Sequence, residues 1–239
     1  MDLEHSNVGL QTTRWSLIRA LKDGPARQAA LARLVELYWP AVYTFLRRSG
    51  RTRDAAAELT QAFFAEVVID RGLLQKADPC VGRLRSLLLT ALRNFVIDAH
   101  RARSVRPVTL DEARIAAEEE RLVSTNGVEP DVMFDRRWAL AQVDEALRRT
   151  EGHFVETGRA KHWELFETRV LRACRGASEP PPLAKLGPDL GFASAADAAA
   201  AVQTVRRFLH TQLRLVVGES VNDPSAAELE WNEIRGLLV

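Results

Sequence analysis

The chain has 239 residues, enough for one or two domains of ordinary size, and 46% of them are hydrophobic, which supplies real cores and excludes wholesale disorder. Lys and Arg number 33 against 32 Asp and Glu, a formal net charge of +1 that, averaged over the chain, looks unlike a nucleic-acid binder. The average hides a pattern: residues 1–106 hold 17 basic and 10 acidic residues, 107–129 hold 2 and 6, 130–217 hold 13 and 11, and 218–239 hold 1 and 5, so two basic blocks are separated and followed by acidic ones. Cys80 and Cys174 stand alone, without a CxxC pair or a His at ligand spacing, which argues against a disulfide framework or a zinc site and for a reducing compartment. No apolar run approaches the roughly 20 residues of a membrane helix, and Met1 to Gln11 lack a signal-peptide core. A cytoplasmic protein without membrane insertion is expected.

Strand signals are scarce and helical periodicity is general, so the expected class is all-α. Leu31, Leu34, Val35, Tyr38, Val42, Phe45 and Leu46 form one apolar stripe, and Pro40 inside it predicts a kink or a join between two helices. Asp54 is placed to cap the next helix, whose Leu59, Phe63, Phe64, Val67 and Val68 face inward. Asp78-Pro79 with Gly82 marks a loop, and a third long helix runs from about Arg83 to Arg103, stopped by Pro107. Residues 1–106 are thus a compact helical domain. Residues 107–129 are acidic, contain Ser124-Thr125-Asn126-Gly127 and show no sustained apolar face, which predicts a flexible linker.

Helicity resumes in a second domain, 130–217. Trp138, Leu140, Val143 and Leu147 carry one helix, and Trp163, Leu165, Phe166, Val170 and Leu171 another. Glu179 to Pro182 is a rigid break. Beyond it come a short helix from Leu183 to Leu190, a turn at Gly191 and a long helix from about Ala195 to Val217. In that long helix Val202, Val205, Leu209, Leu213 and Val216 share a face, with Gln203, Thr204, Arg206, Arg207, His210 and Arg214 largely outside it. Residues 218–239 form an acidic tail. After Asp223-Pro224, its Ala226, Leu229, Ile234, Leu237 and Leu238 provide an apolar stripe that can dock on the chain's own basic domains and restrain them, or simply complete the fold.

A short helix, a glycine-containing turn and a longer helix with basic outward residues make the pattern of a helix-turn-helix DNA reader, although any helical hairpin with a solvated basic face reads the same way. Arg93-Asn94, followed by Arg101, Arg103 and Arg106, suits phosphate contact and equally suits stabilisation of a helix C-terminus. Catalytic patterns are missing. The five histidines lack Ser or Asp partners, there is no glycine-rich phosphate loop, and Glu118-Glu119-Glu120 reads as a solvated charge run. Neither catalytic nor metal-ligating residues are assigned, no cofactor is implied, and the chain is not expected to be an enzyme.

The order of motifs says more than any one of them. Tyr38 to Tyr43, Ala57-Glu58-Leu59-Thr60-Gln61-Ala62-Phe63-Phe64, Gly82 to Leu88, and Arg93-Asn94 with Asp98 to Arg101 resemble, in sequence, region 2 of the extracytoplasmic-function (ECF) sigma factors. The central block resembles that family's Asp-Leu-Thr-Gln-x-x-Phe motif, with Glu58 in place of Asp and with Leu59, Thr60, Gln61 and Phe64 matching. Ala201 to Arg207, through Leu213-Arg214, more loosely resembles the region 4 recognition helix. The segment before it departs from the family pattern: Leu183 to Gly191 replaces the compact Ile-Ala-x-x-Leu-Gly, and Ala195 to Ala201 lengthens the approach. With Thr12-Thr13-Arg14-Trp15 and the acidic tail, the layout is similar to a divergent ECF-like group frequent in planctomycete-type bacteria.

The resemblance implies a transcription initiation factor built from a region 2-like and a region 4-like helical domain. Glu58, Leu59, Gln61 and Phe64 would meet the beta-prime coiled coil of core RNA polymerase. Arg83, Arg85, Arg93, Asn94, Arg101, Arg103 and Arg106 would bind the minus-ten DNA, and Gln203, Thr204, Arg206 and Arg207 the minus-thirty-five element. The polymerase beta flap, promoter DNA and an anti-sigma or kinase-linked regulator complete the implied partners. Leu87 stands where the family often has an aromatic. A base-stacking surface worth about 1–3 kcal/mol per base is thereby lost, so strand capture rests on the loop Asp78 to Arg85 and the basic helix end. Two alternatives stay open: a sigma-like regulatory interaction protein that no longer initiates transcription, and a one-component repressor with a helical ligand-binding domain.

Overall fold

The computed structural model describes residues 24–76, 83–101, 111–122, 127–174, 181–219 and 224–238. All regular structure among them is helical, and no helix there is long and apolar enough to cross a membrane. The chain divides into two compact units, one formed by residues through Ala141 together with those from Val217 onward, the other by Gln142–Val216. The segments read from sequence as linker and tail thus belong to the first unit, which is made of discontinuous pieces of chain.

In the first unit α1 (Gly24–Arg48) is followed by α2 (Arg53–Ala62), α3 (Leu84–Arg101), α4 (Glu112–Leu122), the start of α5 (Pro130–Glu156) and α9 (Pro224–Leu238). Helix α1 continues through Pro40 instead of dividing there. An interior proline costs about 3 kcal/mol, but each large apolar side chain buried contributes about 1.5–3 kcal/mol, and Leu34, Tyr38, Trp39, Val42, Tyr43, Phe45 and Leu46 are all buried. Continuity wins on that arithmetic. The cap of α2 is Thr52, whose Oγ1 accepts from the Ala55 N–H at 3.3 Å; Asp54 falls in the first turn, two residues too late to cap. Helix α2 runs on as a π-helical segment, Phe63–Asp70, with an Arg71 N–H to Glu66 carbonyl bond of 3.0 Å. Phe63, Phe64, Val67 and Val68 are buried, and Phe63 meets Phe95 of α3 edge-on.

Helix α4 occupies the stretch expected to be a flexible linker, and it packs on α1 and α2. Its apolar contribution is small, Ile115 and Leu122 being buried; salt bridges do much of the rest. Glu119 accepts from Arg47 Nε and Nη2 and from the Tyr43 hydroxyl. Glu112 pairs with Arg53, and Arg114 lies over the Trp39 ring. Glu118 is buried and takes a two-pronged contact, 2.6 Å on each oxygen, from the buried Arg137 of α5. The run Glu118-Glu119-Glu120 is therefore a binding face for arginines and not a solvated one, with only Glu120 exposed.

The second unit contains the remainder of α5, then α6 (Ala160–Phe166), which continues through a π-helical stretch Glu167–Leu171 to Cys174, then α7 (Leu183–Asp189) and α8 (Ala195–Gly218), whose residues through Val216 fall in this unit. Its core gathers Phe154, Trp163, Leu165, Phe166, Phe192, Ala198, Ala201, Val202 and Val205. Phe208 of α8 stacks on His153 with centroids 4.1 Å apart and meets Phe154 edge-on, fastening α8 to the end of α5.

Candidate nucleic-acid interface

In the first unit Leu59 and Phe64 are buried, at 7% and 4% exposure, while Glu58 and Gln61 are half-buried. Leu59 and Phe64 are core residues, and any partner that docks on this helix meets chiefly its polar positions.

The arginines assigned to DNA have partners within the chain. Arg83 Nη1 lies 2.8 Å from Glu230 and 2.5 Å from Glu233, both on α9. Arg85 is buried, reaches Glu233 at 2.6 Å and Asp135 at 2.7 Å, and lays its guanidinium over the Trp138 ring at 4.7 Å. Arg83 and Arg85, both donating to Glu233, hold its carboxyl below the ordinary range, whereas burial raises that of Asp135 against the pull of Arg85. Arg93 is exposed and paired with Asp131 at the start of α5. Asn94 is exposed. Arg101 ends α3, and Arg103 and Arg106 lie outside the described residues, as do residues 78–82 of the expected capture loop. Three arginines read as a DNA face are thus engaged with carboxylates.

Helix α9 binds by a different face from the one expected. Glu230 and Ile234, one turn apart, are fully buried, and Leu229 is 59% exposed. Residues 229 and 234 are five apart, about 140° around a helix, so they cannot share a face. Asp223, Ala226, Leu237 and Leu238 fall outside what is described for side chains.

In the second unit the turn between α7 and α8 is built by two glycines. Gly191 has φ +74°, a left-handed conformation that suits glycine. A Cβ on Gly187 would sit 3.1 Å from that of Ala198, so the small residue sets how closely α7 approaches α8. Phe192 N–H returns to the Gly187 carbonyl at 2.9 Å. Ser194 caps α8, its Oγ accepting from Asp197 N–H at 3.1 Å and donating to the Asp197 carboxylate at 2.7 Å. On α8 Val202 and Val205 point into the core, while Gln203, Arg206, Arg207, His210 and Arg214 are exposed. Thr204 is half-buried and its hydroxyl donates to the Ala200 carbonyl at 2.8 Å, which leaves that side chain less able to read a base than its neighbours.

Sequence reasoning did not find Asp131, Asp135, Glu230 and Glu233 as the partners of the first unit's arginines. The available signal was the alternation of basic and acidic blocks. Among the described residues no group of three or more His, Cys, Asp or Glu could hold a metal ion. Comparisons with protein-family models, with curated proteins and with solved structures find no match to this chain.

Proposed function

We propose that this protein is a sigma-type transcription initiation factor, of the region 2 plus region 4 design that its motifs resemble, directing core RNA polymerase to promoters. The observation that carries the reading is the helix-turn-helix geometry of α7, Gly191 and α8, with Gln203, Arg206 and Arg207 exposed on the second helix. The ordered motifs on α1, α2 and α3 add the polymerase-facing half. The minus-thirty-five element is then read from the exposed side of α8, and the minus-ten strand is held by the first unit. Attachment to polymerase makes two weak DNA contacts effective by raising their local concentration.

The deciding experiment combines purified protein, core polymerase from the native bacterium and a promoter library. Promoter-dependent transcripts that disappear without the protein support the reading; polymerase binding without transcripts favours the second one, a sigma-like regulatory protein that does not initiate. The pairing of Arg83, Arg85 and Arg93 with carboxylates of the same chain is the observation on that side. If the protein does not bind polymerase at all, both readings fail.

A further inference from the structure

Two arginines, two turns of α9 and one aromatic ring make an unusual concentration of charge for a surface expected to hold nucleic acid. Arg83 and Arg85 face three carboxylates, Asp135, Glu230 and Glu233. Glu230 is buried, with its side chain 1% exposed, and Glu233 bridges both guanidiniums from a side chain that is 46% exposed. A carboxylate oxygen held 2.5 to 2.6 Å from each of two arginines presents to them what a phosphate oxygen would. Trp138, which lies under Arg85, is fully buried. The attachment is mixed: Ile234 supplies apolar anchorage, and the carboxylates fix where α9 sits.

We propose that α9 is an internal competitor for single-stranded nucleic acid at Arg83 and Arg85, so that phosphates reach these residues only when Glu230 and Glu233 withdraw. The proposal rests on the reading of Arg83 and Arg85 as strand contacts. Its physical logic is population shift: a strand that binds only the open form has its affinity reduced by the fraction of molecules that are open. Displacement needs no new binding surface. It requires only that a partner which engages α9, or polymerase held beside it, favour the open form.

The test uses the full chain and a fluorescein-labelled oligothymidylate, with affinity read by anisotropy at low salt. Glu233→Gln and Glu230→Gln/Glu233→Gln remove the competing charge while keeping side-chain shape. Glu228→Gln removes the same charge from an exposed position on the same helix. The double variant is expected to bind roughly tenfold tighter, as it would if α9 left the site open in about one wild-type molecule in ten, with a smaller gain for Glu233→Gln and none for Glu228→Gln. Adding Arg83→Ala/Arg85→Ala should erase the gain. Equal affinity of wild type and variants, a gain that survives loss of the two arginines, or an equal gain from Glu228→Gln each overturns the proposal. Should Glu230→Gln impair folding, seen as lost helical circular dichroism, the partly exposed Glu233→Gln alone decides. Polymerase pull-down with the same proteins separates the two ideas. Wild type that binds polymerase while no variant gains strand affinity sinks the competitor and leaves the sigma reading standing; an arginine-dependent gain without polymerase binding does the reverse.

Discussion

Glu118 shows how much one side chain can matter to a helix with little apolar surface. Its carboxylate and the Arg137 guanidinium are both buried, with side-chain exposures of 4% and 6%. Glu118→Ala removes the carboxylate that takes both prongs of the buried Arg137, and breaking a buried pair from one side typically costs about 3–5 kcal/mol. Urea unfolding should register that loss, while Glu120→Ala, exposed two residues away, should stay within about 0.5 kcal/mol of wild type. His162 offers a second test at the same scale. Its ring stacks on Phe154 and meets Phe192 edge-on, and its Nδ1 is buried without a hydrogen-bond partner. Burial, with Arg159 and Lys161 nearby, lowers its pKa from the ordinary 6.5. A depressed folded-state value means the unfolded chain takes up the proton first, so this contribution to stability is complete above 6.5 and declines as pH falls below it. His162→Phe keeps the aromatic packing and removes the proton site. Thermal melts at about pH 7.5 and about pH 5.5 should therefore differ less for His162→Phe than for wild type; equal differences would reject this role for the ring.

At the scale of elements, α2 and α4 pull the candidate polymerase surface in two directions. Burial of Leu59 and Phe64 gives α2 its seat in the core, which leaves Glu58 and Gln61 as the positions that can be changed without unfolding it. Glu58→Lys/Gln61→Ala is expected to keep helix content and melting near wild type and to lose polymerase binding; unchanged binding by the folded double variant rejects α2 as the contact. Helix α4 is held largely by charge, and Arg47, donating to Glu119, keeps that carboxyl below its ordinary value of 4.5. That attachment is complete above 4.5 and weakens as pH falls through the lowered value, so acid should loosen α4 at a lower pH than the one at which His162 acts. Hydrogen exchange of α4 amides across that range is the measurement.

For the whole molecule the net charge of +1 is a poor guide, because both acidic segments, 107–129 and 218–239, belong to the same compact unit as the basic block 1–106. Weak DNA binding by the free chain, and stronger binding by a polymerase complex, is the expected behaviour. Within such a complex Arg206→Ala and Arg207→Ala should cost about 1–3 kcal/mol at single base pairs and relax promoter choice. Neutralising Arg101, Arg103 and Arg106 should instead weaken binding evenly across sequences and flatten its salt dependence. A promoter-library selection read at two salt concentrations distinguishes these outcomes. Unaltered selection by the α8 variants removes the helix-turn-helix from the proposed function.

The all-helical class, the start of α8 near Ala195 and the turn at Gly191 were legible in the sequence because each depends on residues within a few positions of one another. Three-to-four periodicity and a glycine at positive φ act locally. The same local logic misread residues 112–122, where a sparse apolar face looked like linker, because the energy that folds α4 comes from arginines far along the chain. Glu119 pairs with Arg47 across 72 positions, and Arg83 with Glu233 across 150. A charged residue carries no mark of its partner, since any opposite charge satisfies it equally until the fold limits which one is near. Sequence therefore identified Arg83, Arg85 and Arg93 as cations on the first helical block. Only the tertiary structure decided that carboxylates of α5 and α9 already hold them, because ion pairing follows proximity in space and not along the chain.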